Sequence, residues 1–184
     1  MFTGVLMLSF LVAVVRGGSF GRMARHPFPR AEWLVVGLIV QMLPAFAPRL
    51  GLPGLVAWGP YLHLLSYLPL AYFLMGNRRK PGIMTIALGM MLNLLPITAN
   101  GGKMPVSAAA LQAAGLPDWV EALAAGHATH TLINETTGLA FLGDVLYLPR
   151  QYPLAAAISI GDIVLAIGIF VLIQHLMLRE PAAQ

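Results

Sequence analysis

The chain has 184 residues, 58% of them apolar and only 10% charged, with a net charge of +4. That length allows one domain, and no composition shift marks a second. The absence of cysteine excludes disulfides and thiolate metal sites, and so few charges leave little to solubilise an ordinary core of this size. The composition therefore predicts an all-α integral membrane protein: about five transmembrane helices in one polytopic domain over residues 1–184, with an ordered outer segment of short helices.

A helix that crosses the hydrocarbon layer needs roughly 20 residues. In chain order, apolar runs predict spans near residues 1–15, 31–47, 55–75, 82–99 and 154–178. The first is short, but no basic stretch precedes it and no small-x-small cleavage site follows, so it reads as a retained span. Arg16, Arg22, Arg25 and Arg30 follow the first run, and Arg78, Arg79 and Lys80 follow the third. Basic residues in short loops beside spans form the positive-inside pattern, which argues against a nucleic-acid partner. With both clusters inside, the N-terminus lies outside and the C-terminus inside. Eight basic residues, Arg179 included, then fall inside, against Arg49, Lys103 and Arg150 outside. Pro44, Pro60, Pro69 and Pro96 predict kinked or tilted helices. Gln41, Asn93 and Gln174 read as interhelical hydrogen bonders. His63, inside the third run, marks a pathway or a polar partner, and reads first as a histidine bonded to a neighbouring helix.

Residues 100–153 form the long excursion. Asn100-Gly101-Gly102 reads as a left-handed helix stop. Ser107 is placed to cap a short helix through Ala114, with Gly115 as its stop, and Pro117 opens a second helix that ends at Gly126. Trp119 and Leu123 share a face of that second helix. His127-x-x-His130, with Glu135 nearby, has the residue types of a metal site. Its spacing is three rather than four, however, and Gly126 breaks helix just before it, so the pair reads as loop histidines and no metal or other cofactor is called for.

Two Gly-Asp pairs carry the remaining chemistry, Gly143-Asp144 and Gly161-Asp162. Ser159-x-x-Asp162 matches the capping pattern at a helix start, and a carboxylate there complements the positive end of the helix dipole. Asp144 has a parallel reading as the residue that fixes the turn before Pro149. The functional reading brings the two carboxyls together at low dielectric, where they cannot both ionise and one pKa rises.

Ile158-Ser159-Ile160-Gly161-Asp162-Ile163, followed by Ala166-Ile167-Gly168, resembles the last motif of lipoprotein signal peptidase (signal peptidase II). That resemblance implies Asp162 and Asp144 as the two catalytic aspartates, with Ser159 where that family has asparagine and Asn134 as partial counterpart of its Gly-Asn-x-x-Asp-Arg motif. Over nearly its full length the chain also resembles a family of small bacterial multi-pass membrane proteins. The residues that carry this are Arg16-Gly-Gly18, Asn77-Arg78-Arg79, Asn100-Gly-Gly-Lys-Met-Pro-Val-Ser107, Phe141-Leu-Gly-Asp144 and Ser159-Ile-Gly-Asp162. This second resemblance implies the bacterial inner (cytoplasmic) membrane but brings no activity with it, and the five expected spans make membrane lipids partners.

Two functions follow as expectations. The first is an outward-facing polar site around Asp144 and Asp162, supported by Asn134 and His130, acting as an aspartyl hydrolase on a membrane-anchored substrate. The alternative is a non-catalytic membrane subunit that binds lipid, quinone or a larger membrane complex.

Overall fold

The computed structural model describes residues 2–47, 51–149 and 155–181. Arg49, Arg150 and the junction of the outer segment with the fifth expected span, residues 150–154, lie outside the described residues. Nine α-helices among the described residues carry the fold: α1 (Phe2–Val15), α2 (Phe20–Arg25), α3 (Ala31–Phe46), α4 (Pro53–Ala57), α5 (Gly59–Asn77), α6 (Ile83–Ala99), α7 (Ala108–Ala113), α8 (Pro117–Ala124) and α9 (Ile160–Leu178). Four three-residue strands join them: β1 (Met104–Val106), β2 (His130–Leu132), β3 (Leu146–Leu148) and β4 (Ala156–Ile158).

The helical composition agrees with the sequence, but the five-span membrane architecture does not hold. Among the described residues only α9 combines sufficient length with sufficient apolarity to cross a membrane: 19 residues at a mean hydropathy of 2.1. Thr3–Val15, Ala31–Phe46 and Ile83–Ala99 are apolar but fall short of 18 residues. α5 has the length, yet buries His63, Ser66 and Asn77 and does not reach the required apolarity. The multi-pass inner-membrane location, the N-outside orientation and the membrane-lipid partners inferred from five spans are therefore withdrawn.

Most of the basic residues read as topological signals have local structural partners. Arg16 donates to Gln174 Oε1 (3.0 Å), and Arg22 donates to the carbonyls of Leu178 and Gly17. Arg25 pairs with Glu180 at 2.9 Å. Arg30 donates to the Tyr72 carbonyl, with its guanidinium 4.0 Å above the Tyr72 ring. Cations at the C-terminal ends of α5 and α9 also complement the helix dipoles. Large apolar side chains, among them Leu11, Leu68 and Met84, remain exposed on the outer faces of the helices.

Two packed units make the framework. In the first, α6 lies along α9, with α1 on the far side of α9. Gly82 and Gly89 of the α6 strip face Gly161 and Gly168 of α9, both pairs seven residues apart, so the two backbones touch where side chains would stand. Gln174 donates to the Ser9 carbonyl of α1 at 2.8 Å. In the second unit, α3 packs on α5: Gly37 admits Leu70, and Trp33 meets Tyr72 edge-on at 5.5 Å. α5 also touches α6, and a gap remains between α3 and the α6/α9 pair.

The outer segment closes one end of that gap. Its two short helices form where the sequence placed them. Ser107 accepts from Ala110 N, Pro117 opens α8, and Gly115 and Gly126 adopt positive φ beyond the helix ends. Two ribbons were not anticipated, because three-residue strands offer too short a window for an alternating pattern. β1 pairs in parallel with β2, matching Met104 with His130, and β3 pairs antiparallel with β4, matching Leu146 with Ile158. Asn100 ties the segment down: Nδ2 donates to the Pro96 and Gly138 carbonyls, and Oδ1 accepts from Gly138 N.

Candidate functional site

The gap is a cavity of about 940 Å³ between α3, α5, α6 and α9, roofed by the strands. Its α3 wall is the stripe Ala31, Leu34, Leu38, Gln41 and Ala45, whose alternating spacing of three and four keeps these residues on one helical face. Phe28, Phe73, Ile83, Ile86 and Leu172 line the apolar portion. The polar groups gather under the roof: His63, Tyr67, Asn93, Thr129, His130, Asp144 and Asp162.

Each of these is placed by a local device. Asp144 is held by its backbone on the free edge of β1: Asp144 N donates to the Pro105 carbonyl (2.9 Å), and Ser107 N donates to the Asp144 carbonyl (3.0 Å). β1 thus runs between β2 and Asp144, which brings His130 and Asp144 to one roof. Asp144 is only 8% exposed. Burial, and then the charge of Asp162, push its carboxyl up to about 8, and no hydrogen bond to its carboxyl oxygens offsets this among the described residues. The expectation that Asp144 fixes a turn with its side chain is replaced by a backbone role.

Asp162 has the opposite arrangement. Ser159 Oγ accepts from Asp162 N (2.9 Å), and Asp162 Oδ2 accepts from Ser159 N (3.3 Å), closing a capping box at the start of α9. Asn93 of α6 joins it, donating from Nδ2 to Asp162 Oδ1 (2.9 Å) and accepting at Oδ1 from the Ser159 hydroxyl (2.7 Å). Both carboxyl oxygens of Asp162 are therefore engaged in helix capping and helix pairing. Ser159 is fully buried, so Ser159→Ala removes a cap and also leaves Asn93 Oδ1 without its donor. We expect a loss of about 2–3 kcal/mol, read as a lower urea midpoint with an unchanged m-value.

The two aspartates share the cavity, but no hydrogen bond joins their carboxyls among the described residues. The aspartate dyad expected of a hydrolase is thus not formed: one member is a cap and the other stands free. Asn134 is not brought to the site. It is exposed, and its Oδ1 accepts from Thr136 N (2.9 Å) and from the Thr136 hydroxyl, an Asx turn that shapes its own loop. His130 does line the cavity; its Nδ1 lies 3.0 Å from Thr129 Oγ1. Burial first, then His127 and His63, push it down to about 3, so it is a neutral imidazole.

His127 and His130 meet edge-on at 5.3 Å between ring centroids in a loop and strand, not on one face of a helix. No group of three or more metal-ligating side chains occurs among the described residues. Sequence reasoning missed Tyr67. It lines the cavity with Asp144 and Asp162, and its hydroxyl is raised above its ordinary pKa by burial, then by Asp162 and Asp144. In a helix this apolar, an aromatic residue reads as core. His63 bonds a loop rather than a helix: Nδ1–H donates to the Gly102 carbonyl at 3.1 Å, which leaves Nε2 as an acceptor.

The family model for the Family of unknown function (DUF5317) matches residues 25–174. A Thermotoga maritima protein, described as an uncharacterized protein, is 27% identical over 174 residues, covering 93% of this chain and 89% of its own length. No solved structure matches the chain. The resemblance to lipoprotein signal peptidase is overturned by that family match and by the engagement of both Asp162 oxygens in helix capping and helix pairing. The resemblance to a family of multi-pass membrane proteins is corrected in its membrane part by the helix lengths above. With its matched region spanning most of the chain, cavity included, the protein belongs to the family of unknown function DUF5317.

Proposed function

We propose that the protein binds a small molecule: an elongated, largely apolar body with one polar end seated at Asp144 and Asp162. The observation that carries this is the carboxyl of Asp144, a residue only 8% exposed, which lines the cavity without a hydrogen-bonding partner among the described residues. A buried polar group without a partner costs about 1–3 kcal/mol, more if charged. A ligand that supplies the partner recovers that cost. The cavity's volume falls within the range of about 300–1,000 Å³ typical of small-molecule sites, with the usual mix of apolar wall and a few convergent polar groups. His130 and Tyr67 line the same cavity as neutral groups, and Asp162 contributes its field while it caps α9. Binding is favoured over turnover because both Asp162 oxygens are already engaged.

Titration with the fluorescent apolar probe N-phenyl-1-naphthylamine tests this. Saturable one-site binding is expected, and Leu38→Trp, which fills the cavity from the α3 stripe, should weaken it by at least about tenfold, equivalent to ~1.4 kcal/mol. Unsaturable binding, or equal affinity in the variant, would place the probe on the outer apolar faces and refute the cavity as a ligand site.

A further inference from the structure

We infer that the polar end is built for a protonated amine, so that the ligand is an amphipathic organic cation. This deepens the binding reading above and rests on it. Once Asp144 ionises, acceptors outnumber donors at the roof. Asp144 offers two oxygens without partners among the described residues, and His63, its Nδ1–H committed to Gly102, offers Nε2. Against these stand the Tyr67 hydroxyl and the single ring N–H of the neutral His130 as donors. No lysine or arginine is among the described residues that line the cavity. An ammonium group carries three donors and no acceptor, the complement of this set. The Asp162 carboxylate, and Asp144 once it ionises, set among low-dielectric walls, also concentrate a negative potential at this end of the cavity, which attracts a cation and repels a carboxylate.

The titratable groups that share the cavity with Asp144 are Asp162 from α9, His63 and Tyr67 from α5, and His130 from β2, with His127 near His130 and Lys103 near His127. The three histidines are held below their ordinary pKa, in each case first by burial, and contribute no competing cation in neutral solution. Seating the ammonium beside Asp144 stabilises the carboxylate, so the Asp144 O–H proton leaves to solvent as the cation enters. Charge inside the cavity is conserved: one proton out, one cation in. Affinity therefore rises with pH, by up to about tenfold per unit below the carboxyl's own pKa, and levels off above it.

Calorimetric titration of the full chain with 4-phenylbutylamine, 4-phenylbutanol and 4-phenylbutyrate compares one shape with three head groups. At pH 8 the amine should bind at least tenfold more tightly than the alcohol, and the carboxylate most weakly. At pH 7, titration in two buffers of different ionisation enthalpy should show release of up to one proton per amine bound. Asp144→Asn keeps the backbone contacts on β1, and should abolish both the preference for amine and the proton release while still binding the alcohol. Equal or tighter binding of the alcohol, or amine affinity that falls as pH rises, would overturn the amine assignment and leave the cavity reading standing. Failure of all three molecules to bind would sink both.

Discussion

Replacing Gly89 with alanine should lower the melting temperature by about 6–12 °C, although alanine is the better helix former by ~1 kcal/mol. A Cβ at residue 89 would sit 2.6 Å from Leu165 N and 2.7 Å from the Gly161 carbonyl. Both are backbone atoms of α9, so neither can rotate away, and the only relief is to move α6 off α9. That separation also pulls Asn93 from Asp162 and Ser159, one turn farther along the same contact. Overpacking of a tight core costs about 1–3 kcal/mol, and the coupled loss of buried hydrogen bonds places this substitution at or above the top of that range. A net ~3 kcal/mol converts to the stated shift at 2–4 °C per kcal/mol for a chain of this size. Gly54→Ala is the control: its Cβ meets nothing within 4 Å, so its melting temperature should hold or rise. Equal effects of the two substitutions in thermal melts would show that the α6/α9 contact is not glycine-dependent.

That contact illustrates what the sequence could disclose. The helices were legible because each is a nearly unbroken apolar run between turn-forming residues, and the short α7 and α8 because Ser107, Gly115, Pro117 and Gly126 punctuate them. Apolarity alone, however, does not separate a membrane span from a helix packed against its neighbours. The deciding quantity is uninterrupted helical length, and α1, α3 and α6 stop at 14, 16 and 17 residues. The capping box at Ser159 and Asp162 was legible because it is local in sequence. The pairing of β1 with β2 was not, since it joins residues 26 apart across two helices. It is this pairing, with Asp144 on the other edge of β1, that assembles the roof of the cavity. The two Gly-Asp pairs looked equivalent on paper, and only the tertiary contacts separate them. Asn93 reaches Asp162 from another helix, and nothing comparable among the described residues reaches the Asp144 side chain.

The Asp144 contribution to stability should fall as pH rises from about 4 to 8, against an opposite trend below about 6.5 from the histidines that burial holds below their ordinary pKa. Burial and the nearby Asp162 charge raise its carboxyl from 3.8 in the unfolded chain to about 8 in the folded one. Between those values the folded chain holds a proton that the unfolded chain has lost. For this group the number of protons bound by the unfolded state minus that of the folded state is then negative, and its contribution to the unfolding free energy decreases with pH. The stabilisation relative to an ionised Asp144 is complete below about 4 and is lost by the time pH passes the folded pKa. Each pH unit that separates the two ionisations corresponds to ~1.4 kcal/mol, so the full span is on the order of several kcal/mol. Asp144→Asn keeps the size and the backbone bonds but has no proton to lose. Its melting temperature should vary little from pH 5 to 9 through this group, and at pH 9 it should exceed that of the parent chain by roughly 10 °C, at 2–4 °C per kcal/mol. Parallel melting curves for the two proteins across that range would mean that Asp144 ionises as readily when folded as when unfolded. An unpartnered carboxyl that destabilises its own fold as it ionises is the arrangement that a bound cation would correct, which joins the stability of this chain to the occupancy of its cavity.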